Sequence, residues 1–286
     1  MRPEISPPGC KLRNRLKSCV PGAPCYVLAD THIGFAPPEV DRALLAFLDA
    51  RRDEARSGRP ASLIIDGDLF EFWFEWRTVI PRPAFRILAA LAALREAGTD
   101  ILWIAGNHDC WGGEVLRRDV GVTYHVGPWT GSVAGWRTRI EHGDGLRAAE
   151  DRRYRALRAV LRNPLAVRAF RWLPPDVASR VATGSSHASR TNMRARDGGA
   201  GLRQIALGYL AAADGPDLVI FGHSHVVTLE RAPGGGVYAN PGTWLDAPTY
   251  LYITPASVEL RQWDGSVEGV RLDALDRRSQ EAPPGS

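Results

Sequence analysis

The chain has 286 residues, 44% of them hydrophobic and 24% charged, and a formal net charge of +4. Such proportions belong to a globular protein long enough to bury a sizeable core, and they exclude a low-complexity or disordered chain. The charge bias is compatible with a polyanionic substrate, nucleic acid or an acidic membrane surface and selects none of them. No stretch nears the ~18 apolar residues of a membrane span. The four cysteines, Cys10, Cys19, Cys25 and Cys110, form no CxxC pair, so they read as free thiols in a reducing compartment.

Residues 1–23 carry Pro, Gly, Lys and Arg without periodicity and lack the apolar region of a secretory signal. They predict a flexible basic arm and, with the rest of the chain, a cytoplasmic protein. Cys25–Ala29 is an apolar run of strand length. Pro38 to about Ala55 places Val40, Leu44, Phe47 and Leu48 on one helical face. Ser62–Ile65 is the next strand, Pro83 to about Ala97 the next helix, and Ile101–Ala105 the third strand. This βαβαβ order implies a parallel sheet with right-handed crossovers. Val122–Val126, Ser132–Ala134 and Arg137–Glu141 then predict short antiparallel strands. Residues 147–213 read as a helical block, punctuated by Pro164, Pro174–Pro175 and Gly199–Gly201. Strands follow at Leu218–Phe221, Val226–Glu230, Val237–Ala239, Tyr250–Ile253 and Val258–Gln262. The expectation is one α/β domain over 24–265 with a helical insertion at about 147–213, and a polar, frayed tail over 266–286.

Five short motifs sit just beyond five of these strands, where α/β sheets collect their ligand sites. Asp30-Thr31-His32 offers a carboxylate and an imidazole at i, i+2, a pair suited to manganese, iron, zinc or cobalt. Alone, Asp-x-His is common by chance. Asp66-Gly67-Asp68 combines a sharp turn with a carboxylate that can bridge two ions, although a plain Asp-Gly turn reads the same way. Gly106-Asn107-His108-Asp109 is more specific. The Asn carbonyl can ligate, His108 is placed to donate to a phosphoryl oxygen or leaving group, and Asp109 can set its tautomer. His142-Gly143-Asp144 and Gly222-His223-Ser224-His225 complete the set. Five of the seven histidines fall in these motifs, an arrangement that chance does not supply.

In order and over about 200 residues, these motifs resemble those of the calcineurin-like metallophosphoesterases. The resemblance implies a four-layer αββα sandwich of two mixed β-sheets. It implies two divalent ions, manganese foremost, one held by Asp30, His32, Asp68 and His225 and the other by Asp68, Asn107, His142 and His223. The phosphoryl group would then be attacked by a metal-bridging hydroxide, with His108 and Asp109 as catalytic residues.

Asp68-Leu69-Phe70-Glu71-Phe72-Trp73, the helical block after His142, the Trp172-Leu173-Pro174 and Ser185–Ser189 segments within it, and Asn240-Pro241-Gly242-Thr243-Trp244 resemble a narrower family. This is the UDP-2,3-diacylglucosamine pyrophosphohydrolases of lipid A synthesis. By that resemblance the block is a cap over the site, with Arg152, Arg153, Tyr154 and Arg158 as its substrate-binding residues; Trp73, with Phe74 and Trp76, can rim the substrate pocket or equally be packing. Its arginines, which include Arg155, Arg162, Arg168 and Arg171, stand among Val160, Leu161, Leu165, Phe170 and Trp172. Such a cap can hold a diphosphate beside acyl chains or lie against an anionic membrane. The plainer alternative is a solvated Arg-rich helix pair. The best-known enzymes of that family carry Arg where this chain has His108, so a phosphomonoester or phosphodiester, including a nucleotide or nucleic acid, is the rival substrate. Nucleic acid is disfavoured by the confinement of Arg to one segment. A non-catalytic scaffold of the same fold would have lost ligands that this chain keeps.

Overall fold

The structure, a computed structural model, describes residues 24–59, 61–147, 151–180 and 197–277. The basic arm with Cys10 and Cys19, the Ser185–Ser189 segment and the side chain of Arg153 lie outside the described residues.

Alternation along the strands decides the layering. Strands β1 (Cys25–Leu28), β2 (Ser62–Asp66), β3 (Asp100–Ile104) and β4 (Thr123–His125) run parallel to one another. Tyr26, Leu28, Leu63, Ile65, Ile101 and Trp103 point to one face of this sheet. There they meet Leu44, Phe47 and Leu48 of helix α1 (Pro38–Arg56) and Ile87, Leu91 and Leu94 of α2 (Phe85–Glu96). Cys25, Val27, Ile64, Leu102 and Ile104 point to the other face and pack against a second sheet. Pro38 opens α1 where its missing N–H costs nothing, and Glu39 and Asp41 complement the helix dipole.

The second sheet holds β5 (Trp129–Val133), β6 (Trp136–Ile140), β7 (Leu218–Ile220), β8 (Thr228–Arg231) and β9 (Val237–Asn240), in the order β5-β6-β7-β9-β8. Its inner face supplies Trp129, Trp136, Ile140, Leu218, Ile220 and Val237 to the shared core. The first sheet is extended by β10 (Thr249–Ile253), β11 (Ser257–Gln262) and β12 (Val270–Asp276), each antiparallel to its neighbour. Two mixed sheets of seven and five strands between helical layers make the expected four-layer sandwich.

Three local expectations need correction. β4 joins β3 in parallel, with Leu102 opposite Thr123, because it extends the first sheet rather than pairing with the β5–β6 hairpin. The polar tail is not frayed throughout. Residues 270–276 form an edge strand, and their polarity reflects an exposed outer row of the kind that protects sheet edges. Helix α5 (Ala200–Leu210), expected within the cap, is instead the outer layer of the second sheet. Its Leu202 and Ala206 pack on Val219, Phe221 and Tyr238. The described part of the cap is led by α3 (Arg152–Leu161) and α4 (Pro164–Phe170).

Candidate metal centre and its cap

The loops after β1, β2, β3, β6 and β7 converge on one edge of the sandwich. Asp30, His32, Asp68, His223 and His225 all adopt left-handed backbone conformations, with φ between 49° and 60°. Non-glycine residues in that region store strain of roughly 1–3 kcal/mol each, and they persist where the surroundings over-determine them. Here the surroundings are a lattice of backbone bonds. Asp30 N–H donates to Gly67 O at 3.1 Å, His32 N–H to Asp68 O at 3.0 Å, and His223 N–H to Asp30 Oδ2 at 2.9 Å. Thr243 Oγ1 donates to Asp30 O at 2.7 Å, and Asn240 Nδ2 to Gly222 O at 2.9 Å. The Asn240–Trp244 segment thus braces both ends of the site.

Two glycines permit the crowding. A Cβ on Gly106 would lie 2.1 Å from Asp68 Oδ1, and one on Gly67 2.4 Å from His142 Nδ1.

Lone-pair atoms crowd together in this shell. His142 Nδ1–H donates to the Asp66 carbonyl at 2.8 Å, which turns Nε2 toward Asp68 Oδ2 at 3.0 Å. His225 Nε2 stands 3.3 Å from Asp30 Oδ1 and 3.2 Å from His32 Nε2. Asp30 Oδ1 and Asn107 Oδ1 are buried and make no hydrogen bond. Buried acceptors without a donor cost about 1–3 kcal/mol each, and several facing one another call for a cation. The donor set of carboxylate, amide oxygen and imidazole fits a divalent transition ion. Asp30, His32 and His225 form one group that could hold a metal, and Asp68, His142 and His223 another.

The charges are tuned by burial and proximity. Burial opposes ionisation of Asp68, but His142 and His108 outweigh it and hold the carboxyl well below its usual range. Burial likewise opposes a charged His142, and Asp68 outweighs it, so that imidazole sits well above its ordinary value. Burial and the nearby His142 push His223 well below its ordinary value, leaving it a neutral donor.

Not every expected residue plays the expected part. Asp109 does not set the tautomer of His108. Its carboxylate accepts from Gly106 N, Leu69 N and Trp103 Nε1 at 2.7–3.1 Å, clamping the loop, and burial with the charge of Asp68 raises it to about 7. The partner of His108 Nδ1 is the Glu71 carbonyl, at 2.8 Å. Trp73 does not rim a pocket: it is fully buried and stacks on Phe70 at 5.4 Å. The run alternates in a way that hides this ring and leaves Phe72, Phe74 and Trp76 to meet Phe170 and Ala178 of the cap.

The cap is seated on Asp144. Tyr154 OH donates to its Oδ2 at 2.8 Å, Arg158 reaches its Oδ2 at 3.2 Å and its carbonyl at 2.6 Å, and Arg162 lies 3.6 Å away. Trp111 Nε1 donates to Leu161 O at 2.9 Å. A small cleft remains between cap and sandwich, lined by Glu141, His142, Asp144, Arg158 and Arg162 among others. Arg152 is exposed, with Arg155, Arg168 and Arg171. Trp172 is 84% and Leu165 76% exposed on the same cap. Among the described residues no helix is long and apolar enough to cross a membrane.

A sandwich of two mixed sheets with this cluster at its strand ends is that of a metallophosphoesterase. A family model described as calcineurin-like phosphoesterase matches residues 23–227, and the chain belongs to that family. It is 34% identical over 169 residues to a UDP-2,3-diacylglucosamine hydrolase of Porphyromonas gingivalis, covering 58% of this chain and 63% of that relative. It is 29% identical over 206 residues to a protein of the same name from Pseudomonas putida, covering 72% and 83%. A dimetal phosphatase from Danio rerio is similar in structure, with a TM-score of 0.41 and 10% identity over 90% of this chain and 99% of that one.

Glu71 is the site residue that reading by motif passed over. Its carboxylate is 4% exposed, and Oε2 lies 3.2 Å from His32 Nδ1. Its place three residues after Asp68 was visible, but its aim was not.

Proposed function

We propose that the protein hydrolyses the diphosphate of UDP-2,3-diacylglucosamine or a similar lipid-linked nucleotide sugar, using two divalent ions, manganese foremost. Asp30, His32, Asp68 and His225 would hold one ion, and Asp68, Asn107, His142 and His223 the other. The observation that carries the metal reading is the pair of buried, donor-less oxygens on Asp30 and Asn107 beside the His32, His142, His223 and His225 imidazoles. When bound, the ions supply a low-pKa water and neutralise phosphoryl charge. The chain's own residues do the rest. The Glu71 carbonyl holds His108 with Nε2 toward Asp68, 3.9 Å from its Oδ2, where it can donate to the departing oxygen. Arg158 and Arg162 line the cleft beside His142, where they would meet a phosphoryl group.

The lipid part of the reading is supported by the cap, where exposed Trp172 and Leu165 stand among arginines. That pairing suits acyl chains and the anionic inner face of the cell membrane, and we assign the protein to the cytoplasm against that face. The names of the relatives point to the same substrate. The test compares UMP release from UDP-2,3-diacylglucosamine with hydrolysis of simple phosphomonoesters and diesters, in manganese. Release from the lipid substrate is expected. Turnover of simple esters with none of the lipid would sink the substrate reading, and full activity in Asp68→Ala would sink the metal reading.

A further inference from the structure

Residue 71 touches both imidazoles that face the site from the β1 and β3 loops. Its carboxylate Oε2 lies 3.2 Å from His32 Nδ1, and its carbonyl accepts from His108 Nδ1 at 2.8 Å. The two rings meet edge to face at 5.1 Å. The backbone around it is pinned: Glu71 N–H donates to Ile33 O at 2.9 Å, Ile33 N–H to Leu69 O at 2.9 Å and His32 N–H to Asp68 O at 3.0 Å. This short parallel ladder, with Ile33 bridged to Phe70, fixes the Glu71 side chain in register with His32.

A carboxylate accepts and an imidazole nitrogen facing it must donate. The proton of His32 therefore sits on Nδ1 and the lone pair on Nε2, which points toward Asp30 Oδ1 and His225 Nε2 at 3.8 and 3.2 Å. We infer that Glu71 is a positioning residue: its carboxylate holds His32 in the tautomer that presents Nε2 to a cation and strengthens that nitrogen as a donor. A carboxylate behind a ligating imidazole does both, and its loss typically weakens metal affinity or activity about 10–100-fold. The inference rests on the two-metal reading above and assigns to it an acidic residue outside the motif ligands. His108 is held by the carbonyl of the same residue, so a side-chain change at 71 leaves that contact in place.

Calorimetric titration of the metal-stripped protein with manganese separates the two ideas. Wild type is expected to bind two ions. In Glu71→Gln, one binding event is expected to weaken by about 10–100-fold and the other to stay within about threefold of wild type, with Glu71→Asp recovering part of the loss. Wild type binding fewer than two ions overturns the two-metal reading and this inference with it. Wild type binding two, and a folded Glu71→Gln binding two with unchanged affinity, overturns this inference alone. Nitrogen-15 NMR of the zinc-loaded wild type gives a readout that needs no variant to fold. A proton on His32 Nδ1 is expected, and a proton on Nε2 overturns the inference.

Discussion

His142 faces Asp68 across 3.0 Å, imidazole Nε2 to carboxylate Oδ2, while its Nδ1–H is committed to the Asp66 carbonyl. The pair holds its proton firmly, with His142 raised well above and Asp68 well below their ordinary values. A divalent ion ligated by His142 must displace that proton. Below the raised pKa of His142 the proton competes; above it the competition ends. Apparent manganese affinity is therefore expected to rise with pH from neutrality upward, by at most about tenfold per pH unit for one displaced proton. Calorimetry in buffers of different ionisation enthalpy checks this through the proton released. Binding that is independent of pH, with no proton release, would contradict it.

Gly106→Ala tests the close approach of the β3 loop to Asp68. The added Cβ would meet Asp68 Oδ1 at 2.1 Å and Asp68 N at 2.6 Å. Backbone must move, at a cost of about 1–3 kcal/mol, and the carboxylate moves with it. A folded variant with markedly reduced metal content and little hydrolysis is expected. Thermal melting with metal analysis measures both, and normal metal content at normal stability would show that the loop yields without cost.

Asp144→Ala removes the seat of the cap. Tyr154, Arg158 and Arg162 lose their shared acceptor, and removing a charged partner costs about 1.5–3 kcal/mol. The expected signature is a raised KM for the lipid-linked substrate with a smaller effect on a small activated diester, which does not need the cap. Equal losses on both substrates would place Asp144 in the chemistry itself.

Trp172→Ser and Leu165→Ser probe the outer face of the cap. Both side chains are largely exposed, so stability is expected to change by less than about 0.5 kcal/mol. Binding to vesicles containing phosphatidylglycerol is expected to fall several-fold, read by co-sedimentation. Undiminished binding would detach this face from the membrane.

Trp73→Ala separates packing from substrate contact. The ring is buried in the core between the first sheet and its helices, stacked on Phe70, and its truncation is expected to cost about 3–5 kcal/mol. A raised KM at unchanged melting temperature would restore Trp73 to the substrate site.

Most of the layering was legible because it follows from period. The alternation of Cys25, Val27 against Tyr26, Leu28 and the helical spacing of Leu44, Phe47 and Leu48 are local signals. The edge strand over 270–276 escaped because polar outer strands lack that signal, and α5 was misassigned because a helix does not announce which layer it covers.

By itself the sequence determined the chemistry on offer: carboxylates, imidazoles and an amide at the ends of five strands, with glycines where backbone must pass close. These are properties of short segments, set by side-chain type and by turns only a few residues long. Tertiary structure decided who serves whom. It gave His108 to the carbonyl of Glu71 instead of the carboxylate of Asp109, turned Trp73 into the core, and set Tyr154 and Arg158 on Asp144. Those pairings depend on the register of the loops and the docking of separate layers. Asp30 meets the His223 amide across 193 residues of chain, a contact that no local pattern encodes and that packing of the two sheets brings about.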